Sequence, residues 1–273
     1  MTKIKLIALD MDGTACSFHQ GIHATNIEPI IKAQEMGVRV VFATGRPVLT
    51  SLSEALRVKM DYFKQYFIGF NGACIYDIKA NKIAYQQTLS ALQVNFLFQL
   101  AEKYHKKLWC YIDDLTKVIV NFDPVAEQNP ELVFFNGDFI QYDSAVEIQN
   151  TSYKCIVMDV DENDQFIIAA RADKIEIAID AAKTAEINAP GISKLAGLKW
   201  ISTQWKIALS EMMAIGDSMN DYWMIKNVGL GIAMGNGQEQ IKAIAKEVTS
   251  TVETGGMAKM IEKYVLNDKK III

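Results

Sequence analysis

Near its start the chain reads Ile4-Lys-Leu-Ile-Ala-Leu-Asp10-Met-Asp12-Gly13-Thr14. A short apolar run that breaks into two carboxylates, a glycine and a hydroxyl reads as a buried strand giving way to a loop. Strand side chains alternate faces, so Asp10 and Asp12 are expected to start out pointing the same way. In open α/β sheets the carboxyl edge of the strands is where ligands bind. Two like charges this close force one to take a proton unless they share a cation or divide their roles. The pattern suits a bound Mg2+ beside a nucleophile paired with an acid/base. Taken alone, it fits a solvated acidic turn as well.

The residues that follow repeat the same plan. Thr25-Asn-Ile-Glu28 has the form of a capping box, predicting a helix to about Met36 with Gly37 as its left-handed stop. Val38 to Ala43 is a second strand and ends in Thr44-Gly45-Arg46-Pro47. Strand, helix and strand at this spacing require a crossover and a parallel pair. Thr44 is therefore expected at the same sheet edge as Asp10. Its hydroxyl and the nearby amides at a helix start make an anion site, although an ordinary strand-to-helix turn reads the same. Tyr66 to Phe70 is a third strand, and Ala73 to Asp77 is either its continuation or, with Asn71-Gly72 as the turn, its hairpin partner. Between the first two strands, Cys16, His19 and His23 lie in a polar stretch whose spacing matches no zinc pattern.

From about residue 82 the texture changes. Hairpins replace crossovers: Leu108 to Ile112 and Lys117 to Phe122 flank Asp113-Asp114, and further strands are expected at Lys154 to Val160, Ile175 to Ile179 and Thr184 to Asn188. Helices are expected from the Ser90/Gln93 capping box to Tyr104, within Pro124 to Phe135, and within Glu162 to Arg171. Asp159, Asp161, Glu162 and Asp164 read as a solvated turn, since the glycine an EF-hand needs is missing. The expected fold is α/β: a Rossmann-like parallel-sheet core, residues 1–81 and 190–273, with an inserted α+β cap at 82–189. With 273 residues, half of them apolar, the chain can fill two cores.

After the insertion, Ser193 caps a helix whose first turn holds Lys194, a poor place for a cation against the helix dipole. Glu211 to Ile215 is a strand that runs into Gly216-Asp217-Ser218-Met219-Asn220-Asp221, again at a strand end and a helix start. Gly229 to Met234 is another strand, and Gly255 to Val265 a closing helix.

The net charge is −4, with no basic stripe, so nucleic acid is not an expected partner. No apolar run approaches the ~20 residues that span a bilayer. Four scattered cysteines, with no Cys-x-x-Cys pair, read as reduced thiols. The first strand begins too early for a signal peptide, and a cytoplasmic location is expected. Nothing in the pattern fixes an oligomeric state.

Asp10-Met-Asp-Gly-Thr14, Thr44, Lys194 and Gly216-Asp-Ser-Met-Asn-Asp221, in that order, resemble the four motifs of the haloacid dehalogenase-like hydrolase superfamily. With Thr44-Gly-Arg-Pro47, Asn71-Gly72-Ala73 and Ala233-Met-Gly-Asn236, the chain looks like the Cof-type sugar-phosphatase branch. The resemblance implies a phosphatase that acts on small phosphorylated metabolites through an aspartyl-phosphate. Asp10 would be the nucleophile and Asp12 the acid/base. Thr44, Gly45, Lys194 and Asn220 would bind the phosphoryl group. Asp10, the backbone carbonyl of Asp12, and Asp217 would hold Mg2+, with Asp221 supporting them. The inserted cap would select the leaving group. A phosphomutase or phosphotransferase shares this core. A receiver-like signalling domain would be about half this length and would need no general acid. A ligand-binding regulator would not need every motif residue.

Overall fold

The computed structural model describes residues 3–17, 21–173, 175–179 and 182–267. It divides into two units, one of Met1–Gly45, Ser51–Tyr85 and Ser193–Ile273, the other of Arg46–Thr50 and Gln86–Ile192. His19 and the tail 268–273 lie outside the described residues.

The chain begins with β1 (Leu6–Leu9), α1 (Ala24–Glu35), β2 (Arg39–Ala43), α2 (Val48–Arg57), β3 (Tyr66–Gly69), β4 (Cys74–Asp77) and β5 (Lys82–Gln86). Next come α3 (Ala91–Lys103), β6 (Leu108–Ile112), β7 (Lys117–Val120), β8 (Asp138–Gln141), β9 (Ser152–Val157), α4 (Gln165–Ala170), β10 (Glu176–Ile179) and β11 (Ala185–Asn188). It closes with α5 (Lys194–Trp205), β12 (Met212–Gly216), α6 (Tyr222–Asn227), β13 (Leu230–Ala233), α7 (Glu239–Ile244), β14 (Glu247–Val248) and α8 (Gly256–Ile261).

The first unit is built on an eight-stranded sheet in the order β14-β13-β12-β1-β2-β3-β4-β5. From β14 to β3 every neighbouring pair is parallel, and of the two readings of residues 73–77 the hairpin is the one that forms, β3 pairing antiparallel with β4. The N-terminal strand therefore lies inside the sheet, with Leu6 against Arg39 on one side and Met212 on the other. Strands covered on both faces need apolar residues at every position; β1 and β12 are buried throughout. Leu6, Ala8, Val41, Ile68, Leu198, Ile201, Met212 and Ala214 share one core beneath α5. The strand at Lys82–Gln86, where the sequence texture changes, is the last strand of this larger sheet.

The second unit carries a six-stranded sheet ordered β10-β11-β9-β6-β7-β8. Its pairs are antiparallel except β7 with β8. Val94, Leu97, Phe98, Phe166 and Ile167 from α3 and α4 pack with Leu108, Cys110 and Cys155 on one face. Ser90 and Gln93 close their capping box, the Gln93 amide donating to Ser90 Oγ and the Ser90 amide to Gln93 Oε1. Asp164 caps α4 by accepting the Phe166 amide, and it pairs with Lys106, so the acidic stretch is a turn and a helix cap.

Two expected elements differ. The box at Thr25 and Glu28 does not form: His23 is the N-cap, its Nδ1 lies 2.8 Å from Thr25 Oγ1, and Glu28 pairs with Lys32 instead. The helix expected within Pro124 to Phe135 reduces to a 3-10 turn at Pro130–Val133. Asp123 takes the amides of Val125 and Ala126 into a local turn, and Pro130 has no amide with which to continue a helix. Strands β8 and β14 and helix α7 were not expected. At two to six residues each, they are too short to carry a period. No helix of the described residues is long and apolar enough to cross a membrane.

Candidate active site

The site lies wholly in the first unit, at the carboxyl ends of β1, β2 and β12. β1 stops at Leu9, so strand alternation no longer governs Asp10 and Asp12. Asp10 is still tied to the sheet by its amide, which donates to the Ile215 carbonyl at 3.0 Å. Beyond it the chain folds into a tight loop: the Gly13 amide donates to Cys16 O, the Cys16 amide to Met11 O, and the Ala15 amide to Asp10 O. Gly13 has φ +74°, and a Cβ there would stand 2.4 Å from Asp217 Oδ2. Only glycine lets the first loop pass this close to the carboxylate that follows β12.

Lys194 is completely buried. Ser193 caps its helix by accepting the Ala196 amide at 3.1 Å. The Gly72 turn is pressed against this start, since a Cβ on Gly72, at φ +111°, would meet the Ser193 carbonyl oxygen at 2.3 Å. From there the ammonium reaches Asp10 Oδ1 and Asp221 Oδ1, each at 2.7 Å. Those two carboxylates answer the unfavourable dipole position. Burial works against the ammonium, but Asp10 and Asp221 outweigh it and hold the pKa above the usual lysine range.

The other oxygen of Asp221 accepts the amides of Asp217 and Ser218 at 3.0 and 3.1 Å. Asp221 thus fixes Lys194 and the start of the loop that presents Asp217. Ligand oxygens of Asp10, Asp217 and Asp221 lie within 4.8 Å of one another. Burial first, then the Asp221 charge, push Asp10 well above the ordinary carboxylate range, although Lys194 pulls it down. The same two causes raise Asp217 to about 6. One ammonium does not balance three buried carboxylates. Asp10 Oδ2 and Asp217 Oδ1 are also buried without a hydrogen-bond partner among the described residues. Buried acceptors of this kind are expensive unless something binds them, and a hard, oxygen-seeking dication fits them.

Thr44 is buried where β2 ends; its amide donates to Ile68 O and its carbonyl accepts the Asn71 amide. Asn220 sits in the 3-10 turn Met219–Asp221 and donates through Nδ2 to Asn71 Oδ1 at 3.2 Å. A Cβ on Gly45 would lie 3.0 Å from that same Asn71 oxygen. Asp12 follows Met11 in the loop, half-buried, with a bridge pairing to Cys16.

The sequence profile of the haloacid dehalogenase-like hydrolases matches residues 7–261. The chain belongs to this family. Its resemblance to the Cof-type branch holds across whole chains. It is 32% identical over 264 residues to the 5-amino-6-(5-phospho-D-ribitylamino)uracil phosphatase YcsE of Bacillus subtilis, covering 96% of each chain. It is 28% identical to YitU of the same organism, a protein of the same name, covering 96% of this chain and 98% of that one. Among solved structures, a haloacid dehalogenase-like hydrolase from Bacteroides thetaiotaomicron superposes with a TM-score of 0.82 at 29% identity, covering 96% and 99% of the two chains. The activity class of this hydrolase is that of a phosphatase.

Two residues of the hydrolase's site were not among those expected to act. Asn71, in the left-handed region at φ 56°, stands between Gly45 and Asn220. Asn71-Gly72 was read as a turn and as part of the family resemblance, but an Asn-Gly turn is so ordinary that it assigned Asn71 no role. Asn236 reaches back across the chain to the first loop. Trp109 and Tyr111, aromatic residues of the inserted segment, are buried against Phe135 within the second unit.

Proposed function

We propose that this phosphatase hydrolyses monophosphate esters of small metabolites through an aspartyl-phosphate on Asp10. The observation that carries this reading is the hold on the Asp10 carboxylate. Lys194 fixes one oxygen at 2.7 Å, and the other is buried with no partner among the described residues. A carboxylate nucleophile divides a very slow hydrolysis into two easier displacements. Asp12, two residues on in the same loop, is assigned the proton: given to the leaving oxygen in the first step, taken from water in the second. Thr44, the Gly45 amide, Lys194 and Asn220 are assigned to the phosphoryl oxygens, with Asn71 setting the Asn220 carboxamide.

Asp10, the Asp12 carbonyl and Asp217 would hold Mg2+, with Asp221 and its two amide bonds keeping Asp217 in place. When bound, the ion offsets the repulsion between an anionic carboxylate and an anionic phosphate. The inserted segment is assigned the choice of leaving group, and the names of the two Bacillus relatives favour a phosphorylated polyol joined to a heterocycle.

The test is phosphate release from a panel of sugar phosphates, nucleotides, phosphorylated cofactors and 5-amino-6-(5-phospho-D-ribitylamino)uracil, with Mg2+ and with a chelator. Release that needs Mg2+ and ranks the ribitylaminouracil ester first supports the reading. Transfer to an added alcohol in preference to water would instead place the protein among phosphotransferases.

A further inference from the structure

We propose that Asn236 is a positioning residue that sets the backbone of the Asp12–Gly13 loop from the far end of the chain. The inference rests on the roles given above to Asp12. Asn236 Nδ2 donates to the Gly13 carbonyl at 2.8 Å, 223 residues away in sequence. Its Oδ1 accepts the Val252 amide at 3.1 Å. One end faces a pure acceptor and the other a pure donor, a demand that a carboxamide meets and a carboxylate or an alkyl group does not.

Gly13 is the residue of this loop with the widest backbone freedom, and it is held at φ +74°. Its amide is fixed by Cys16 O at 3.0 Å. The peptide is planar and trans, so this bond aims the Asp12 carbonyl the opposite way. The next peptide, which carries the Gly13 carbonyl, is fixed by Asn236. With both flanking peptides held, the Gly13 dihedrals are set, and with them the direction of the Asp12 carbonyl. The same turn grips the other loop, since the Gln238 amide donates to the Asp217 carbonyl at 2.8 Å. A Cβ on Gly237 would lie 3.0 Å from that oxygen. Residues 236–238 thus tie the loop after β1 to the loop after β12.

The test compares Asn236→Asp, Asn236→Leu and Thr249→Val. Thr249 makes a buried bond to the Gly256 carbonyl in the neighbouring segment and has no part in the site, so its variant reports loss of stability alone. Kinetics with p-nitrophenyl phosphate, melting temperature and Mn2+ binding by electron paramagnetic resonance are measured on each. Asn236→Asp keeps the acceptor for Val252 and loses the donor to Gly13. The expected result is a fall in kcat of about 10- to 100-fold, as for other losses of catalytic geometry. KM should stay within about twofold and Mn2+ binding should weaken, while Thr249→Val keeps wild-type kcat and Mn2+ binding. Wild-type kcat and Mn2+ binding in Asn236→Asp would overturn the inference, as would a loss that Thr249→Val reproduces at equal melting temperature. Wild-type protein with neither turnover nor Mn2+ binding would overturn the parent reading, and this inference with it.

Discussion

Lys194 compensates two buried carboxylates at once, so its removal leaves both without a partner. Breaking a buried ion pair by taking away one member costs about 3–5 kcal/mol. Lys194→Met is expected to lose stability of that order in chemical denaturation and to lose turnover with it. Asp10→Asn keeps an oxygen for Lys194 but no longer offers a carboxylate for attack. It is expected to fold normally and to lose roughly 10^4-fold or more in kcat, as nucleophile removals do; normal turnover in that variant would remove Asp10 from the mechanism. The positions of Asp10, Thr44, Lys194 and Asp217 were legible in the sequence, because each stands at a strand end or helix start that punctuation marks, while the roles proposed for them came with the family resemblance. The roles of Asn71 and Asn236 were not legible. The bonds that tie them to the site, Asn220 to Asn71 and Asn236 to Gly13, span 149 and 223 residues, and no local pattern encodes such a distance.

Among the elements, the hairpin turn at Asn71-Gly72 carries more than a chain reversal. The Gly72 turn abuts the start of α5, so it sets where Lys194 begins its reach. Gly72→Ala would place a methyl 2.3 Å from the Ser193 carbonyl at a backbone angle that alanine resists. The expected result is a drop in melting temperature together with a drop in kcat, measured side by side; a change in stability alone would separate the turn from the site. Apart from β14, the strands of the parallel sheet could be read from their apolar runs, and α3 from its capping box. The failed box at Thr25 shows the limit of such reading. A cap motif lists the possible partners, but His23 and Lys32 were the ones that won Thr25 and Glu28.

For the whole molecule, the buried acidic cluster makes stability depend on pH. The Asp217 carboxyl titrates near 6 in the folded state against about 3.8 when exposed. Between those values the folded state holds more protons than the unfolded one, so stability from this group falls as pH rises, and the whole penalty is present above about 6. With chelator present, the melting temperature of the wild type relative to Asp217→Asn should therefore fall between pH 4 and pH 6. Mg2+ at pH 7.5 should raise the wild-type melting temperature, and the rise should shrink toward pH 5 as protons compete for the same oxygens. An Mg2+ response that is flat across that range would speak against the acidic cluster as the binding place.

Because β1 lies between β2 and β12, the order in which the ribosome makes the chain has a consequence. Asp10 leaves the exit tunnel before its lysine, which follows 184 residues later. At about 5–20 residues per second the delay is roughly 10–40 s. Throughout that time β1 has one flank open, and the Asp10 carboxylate lacks its lysine. A nascent chain halted before Lys194 is expected to be inert however well residues 1–193 fold, and that open flank is where a chaperone would have most to shield.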